Sequence, residues 1–78
     1  MKYVIKDVNK KEVLSTENFK KAYEYLKKSV PTKNLPPDKH MQESIDHDKK
    51  WGKDPVPYGF LGEDNKEIII YMDVYYNE

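Results

Sequence analysis

The side chains best suited to chemistry fall in one segment, KHMQESIDHDKKW at residues 39 to 51, which holds His40, Glu43 and His47 with Ser44 between them. Imidazoles and carboxylates at helical spacing are the material of metal sites and of acid/base pairs. With His40 as the origin on a helix, His47 projects at about −20°, Glu43 at about −60° and Ser44 at about +40°, so the polar cluster shares one side. Length works against chelation, because His40 and His47 are separated by roughly 10.5 Å of helical rise. Either histidine with Glu43 makes a two-ligand clamp, whereas a zinc site takes at least three protein ligands. Met41 and Ile45 project at about 100° and 140°. A helix docked by that apolar stripe turns both histidines toward water, away from the burial a catalytic acid or base normally needs. The segment therefore reads as a covering helix with a solvated polar face, and metal binding through His40, Glu43 and His47 is the minor alternative.

Other chemistries lack their parts. The chain has no cysteine, which removes disulfides, thiolate nucleophiles and the usual structural zinc ligands. Its three glycines, at 52, 59 and 62, form neither a phosphate loop nor a dinucleotide fingerprint. Ser15, Ser29 and Ser44 stand in no nucleophile-elbow context. No enzyme activity and no cofactor are expected. Every basic side chain is lysine, and without arginine's planar fork sequence-specific DNA reading is disfavoured. No stretch approaches the roughly 20 apolar residues of a membrane span, and the apolar patch in MKYVIKDVNKK is too brief for a signal peptide. A cytoplasmic location without membrane contact is the expectation.

The zero net charge conceals a gradient. Residues 1 to 30 carry eight Lys against four acids (+4), residues 31 to 57 five against five, and residues 58 to 78 one against five (−4). Such ends attract each other within one fold or between two copies of it.

Seventy-eight residues make one small domain, near the size at which a single core supplies only about 3–5 kcal/mol. Residues 2 to 14 read as a hairpin, two short β-type runs around VNKK with Asn9 in the turn. Ser15 is positioned as an N-cap, with Leu14 and Phe19 as a hydrophobic staple, for a helix over 16 to 30. Its core stripe is Phe19, Ala22, Tyr23, Leu26 and Val30, and Pro31 ends it. All five prolines lie between 31 and 57, a connection too long to be bare, and a second helix over 39 to 51 fits there, with Asp38 as cap and Gly52 just past the end. Residues 58 to 76 form a second hairpin whose last strand, EIIIYMDVYY, is apolar on both faces and so belongs in a sheet interior. The fold class is α+β: an antiparallel sheet of two hairpins in the order β-β-α-(α)-β-β, with the main helix across one face.

One helix leaves the other face of the sheet to be explained. Ile68, Ile70, Met72 and Val74 are the expected helix-facing set, which places Ile69, Tyr71, Asp73 and Tyr75 outward. Two readings follow. Either Trp51 and Val56 of the Pro-rich segment cover the tyrosines, or the face binds a protein partner or a second copy, since tyrosine is enriched at interfaces. The expected partner-binding residues are Ile69, Tyr71 and Tyr75, then Trp51. A small interaction or accessory module, self-associating as a homodimer in one version, is the functional expectation. The alternative is a single-stranded nucleic-acid binder using Lys2 and Lys6 beside Tyr71 and Tyr75. Asp73 on the same face and the absence of a basic excess disfavour it.

Overall fold

In the computed structural model, which describes residues 1–77, eight elements follow one another. They are β1 (Lys2–Asp7), β2 (Glu12–Thr16), α1 (Phe19–Ser29), a 3-10 turn (Thr32–Asn34), α2 (Asp38–Asp48), a second 3-10 turn (Lys49–Trp51), β3 (Val56–Leu61) and β4 (Ile68–Tyr75). The strands form one antiparallel sheet in the order β2-β1-β4-β3, so β4 is an interior strand as its two-sided apolarity required. The α+β class and the element order are those expected.

The first hairpin turn is organised by Asp7 rather than Asn9. The Asp7 carboxylate accepts from the backbone N–H of Asn9 (2.9 Å) and of Lys11 (3.0 Å), and Lys10 takes the left-handed conformation at φ 63°. At the second turn Asp64 accepts from Lys66 N–H (3.1 Å) and Asn65 sits at φ 55°.

α1 starts later than Ser15 implies. Ser15 pairs with Val4 across the sheet, so its backbone is committed to β2, and the cap passes to Asn18, whose side chain accepts from Lys21 N–H (3.1 Å). Phe19 is then the first helical residue; it packs on the core and edge-on against Tyr3, with ring centroids 5.7 Å apart. Val30 ends the helix in an extended conformation before Pro31. α2 is capped by Pro37, with Asp38 its first residue, and tightens into the 3-10 turn that Gly52 closes at φ 72°.

The core joins Tyr3 and Ile5 of β1, Ala22 and Leu26 of α1, Met41 and Ile45 of α2, Phe60 of β3, and Ile70, Met72 and Val74 of β4. Both helices thus bury their stripes against the same face of the sheet. Three further hydrogen bonds hold the Pro-rich segment on that side. Asn34 Nδ2 donates to the carbonyls of Leu61 (3.2 Å) and Gly62 (2.8 Å), and the Tyr23 hydroxyl donates to the Pro36 carbonyl (2.8 Å).

The expectation that Ile68 faces the helices is wrong. A bulge between Phe60 and Leu61 pairs Leu61 with Ile68 and leaves Ile69 as an extra residue. The alternation of β4 is reset there, and Ile68 turns outward with 37 % of its surface exposed. A Cβ placed on Gly59, which lies opposite outward-facing Tyr71, would sit 2.8 Å from Ile68 Cδ1. Glycine there lets the isoleucine lie close across the outer face, and a larger residue would make its side chain shift.

Candidate functional site

The outer face of the sheet is where exposed apolar surface and organised charge coincide. Register fixes its members. Lys2 lies opposite Tyr75, Val4 opposite Asp73 and Lys6 opposite Tyr71, while Pro57 and Gly59 of β3 flank Asp73 and Tyr71. Ile68 and Ile69, each 37 % exposed, extend the surface toward the β3–β4 turn. Val4 is 4 % exposed yet belongs to no part of the main core, so it is closed over by its neighbours on this face.

Lysine ammonium groups lie near the rings. Lys10 Nζ stands 5.4 Å from the Tyr71 ring centroid and Lys2 Nζ 6.0 Å from that of Tyr75, both within cation–π range. Lys6 Nζ pairs with Asp73 Oδ2 at 2.9 Å, and this carboxylate raises the ammonium's pKa above its usual value. A shallow cleft lined by Lys6, Lys10, Pro57, Tyr71 and Asp73 lies between them. The arrangement is aromatic, cationic at its edge and internally neutralised at its centre. It can bury apolar side chains and hold carboxylates at the rim.

The reading in which the middle segment covers this face is overturned. Val56 lies opposite Val74 and so on the helix side, and Met41 and Ile45 are in the core beneath the helices. Trp51 is 64 % exposed. It lines a separate cleft with Asp48, Lys53, Val56 and Pro57, with Lys50 Nζ 5.2 Å from its ring. Of the four residues expected at the interface, register puts Tyr71 and Tyr75 on this face, Ile69 is the exposed extra residue of the bulge beside Ile68, and Trp51 stands apart. Pro57 borders both clefts, which makes edge strand β3 the divide between them.

Ile68 and Lys10 are members of the face that sequence reasoning missed. No local signal reveals the bulge that turns Ile68 outward, and Lys10, left-handed in the hairpin turn, reaches Tyr71 across the sheet.

The histidine segment does gather on one side of α2. His40, Glu43, Ser44, His47 and Asp48 line a single open cleft. Its chemistry is already engaged. Lys50 Nζ lies 2.9 Å from His47 Nε2, which receives the ammonium's hydrogen bond when His47 is the Nδ1–H tautomer, and Nδ1 then faces Asp48 Oδ1 at 3.4 Å. A cation on the lone pair a metal or a proton would need is the wrong starting point for a ligand or base. The other Asp48 oxygen accepts from the Tyr58 hydroxyl at 2.8 Å, and that bond holds the carboxyl below its usual pKa. Among the described residues no group of three or more His, Cys, Asp or Glu side chains is placed to hold one ion. Nor is any helix among them long and apolar enough to cross a membrane.

Compared with known proteins, the chain matches no family model, no curated protein and no solved structure.

Proposed function

We propose that this chain is a protein-interaction module that docks through the outer face of its sheet, with Ile69, Tyr71 and Tyr75 as the contacts that bind. One observation carries this reading: both helices lie against the same side of the sheet, which leaves two tyrosines and two isoleucines on the other. A surface of exposed isoleucines and half-buried tyrosines rimmed by charge has the composition of an interface rather than of a solvated face. Trp51 lies around the edge of β3 from it and extends the contact only for a partner that wraps that edge.

The test is in-cell cross-linking followed by mass spectrometry, comparing the natural chain with the double substitution Tyr71→Ser and Tyr75→Ser. Truncating two aromatic anchors is expected to weaken association by about tenfold or more and to leave cooperative thermal unfolding in place. A control substitution of Lys20 and Lys27 on the exposed side of α1 should leave the cross-links intact. If the tyrosine variant keeps every cross-link of the natural chain, the face is not the docking surface. The nucleic-acid alternative draws on the same lysines and tyrosines, but Lys6 is held by Asp73 and the chain as a whole carries no net positive charge. Affinity for single strands that collapses with added salt would favour it.

A further inference from the structure

We infer that the occupant of the open face is a second copy of this chain, packed sheet to sheet about a two-fold axis that runs parallel to the strands. The inference rests on the reading of that face as a docking surface and adds the partner's identity and orientation. The strand order β2-β1-β4-β3 makes the sheet two hairpins side by side, and both turns lie at the same end, because Asp7 pairs with Ile70 and Leu61 with Ile68. The β1–β2 turn carries Lys10 and Lys11, flanked by Asp7, whose carboxylate accepts from the turn's backbone N–H groups, and by Glu12. The β3–β4 turn carries Glu63, Asp64 and Glu67 against one lysine, Lys66. Among the described residues, the ion pair at this end is Lys33 against Glu63 at 3.7 Å.

A two-fold axis along the strands exchanges left and right while keeping each end where it was. The hairpin β1–β2 of one copy then lies over β3–β4 of the other. Lys10 and Lys11 face the acidic turn of the second copy, and the same contact recurs on the opposite side of the axis, as an isologous interface requires. The apolar residues fall between these two charged contacts. Ile68, Ile69 and Tyr71 of each copy lie over the β1 side of the other, at the roughly 10 Å spacing of stacked sheets. Opposite charges fix the orientation, since the antiparallel alternative removes both lysine–carboxylate contacts.

The experiment uses two variants of the whole chain, Lys10→Glu with Lys11→Glu and Glu63→Lys with Glu67→Lys, in sedimentation equilibrium over a wide concentration range at low salt. The natural chain is expected to dimerise, more weakly as salt is added. Each variant alone faces like charge twice and is expected to lose about tenfold or more in self-association. Mixed one to one, the variants restore opposite charges at both contacts, so the heterodimer should regain the natural chain's affinity. That rescue also shows that both variants are folded. Dimers unaffected by either variant, or weakened dimers that mixing does not restore, would overturn the proposed orientation. A natural chain that stays monomeric at every concentration would overturn the second copy as occupant. The Tyr71 and Tyr75 cross-linking result would then decide separately whether the face still docks a different protein.

Discussion

Tyr58 stands where the sheet meets the end of α2. Its ring lies on the helix side opposite Met72, and its hydroxyl donates to Asp48. Burial pushes the phenol far above its usual pKa, and the carboxylate acceptor pushes in the same direction. Burial raises Tyr76 and Tyr3 as well. The sign of the linkage follows from these upward shifts. Below about pH 10, where unfolded tyrosine keeps its proton, the contribution to stability is complete. Above it the unfolded chain releases protons that the native tyrosines hold, so stability falls as pH rises toward the native values. Thermal melts should show a Tm that is flat through neutral pH and declines above about pH 10. Tyr58→Phe should lower the Tm by about 5 °C at neutral pH, as the loss of one hydrogen bond does in a domain this small. It should also make the alkaline decline shallower. An equally steep decline would show that Tyr58 is not among the groups responsible. The outward placement of Tyr71 and Tyr75 was legible from alternation alone, because a strand with period two cannot hide its faces. The fate of Ile68 was not, since one inserted residue resets that period.

At the scale of elements, the start of α1 shows why boundaries resist sequence reading. Ser15, Thr16 and Asn18 are all competent caps, and sheet pairing decides among them by drawing Ser15 and Thr16 into β2. Asn18→Ala should therefore cost about 1 kcal/mol in denaturant unfolding. Ser15→Ala, at an exposed strand position, should stay within about 0.5 kcal/mol. The opposite ranking would return the cap to Ser15. For α2, the apolar pair Met41 and Ile45 was readable as a buried stripe, but a stripe does not say which layer it meets. The layer is decided by contacts distant in sequence, chiefly Asn34 on the carbonyls of Leu61 and Gly62 and the Tyr76 hydroxyl on the Ile45 carbonyl. These keep the Pro-rich segment on the α1 side and leave the other face open.

For the whole molecule, the charge gradient is used partly within the chain. Lys6 and Asp73 join the basic and acidic ends inside one sheet, while Lys10, Lys11 and Glu67 lie beyond that pairing. Association through the remainder couples stability to concentration, because a partner that binds only the native state raises its unfolding free energy. The Tm of the natural chain should climb with protein concentration. That of the Tyr71→Ser, Tyr75→Ser variant should not, and parallel curves in calorimetry would separate the face from self-association. The strand order carries one more consequence, for synthesis. β1 pairs with β4, so the two central strands come from opposite ends of the described residues and β4 is the last of the described elements to be made. Until it leaves the ribosome, the first hairpin and β3 cannot join one sheet, and the apolar sides of both helices wait without their central wall. Folding of this kind closes on the final strand and is governed by long-range pairing. A nascent chain stalled before Ile68 would be held in a state with its future core open to water.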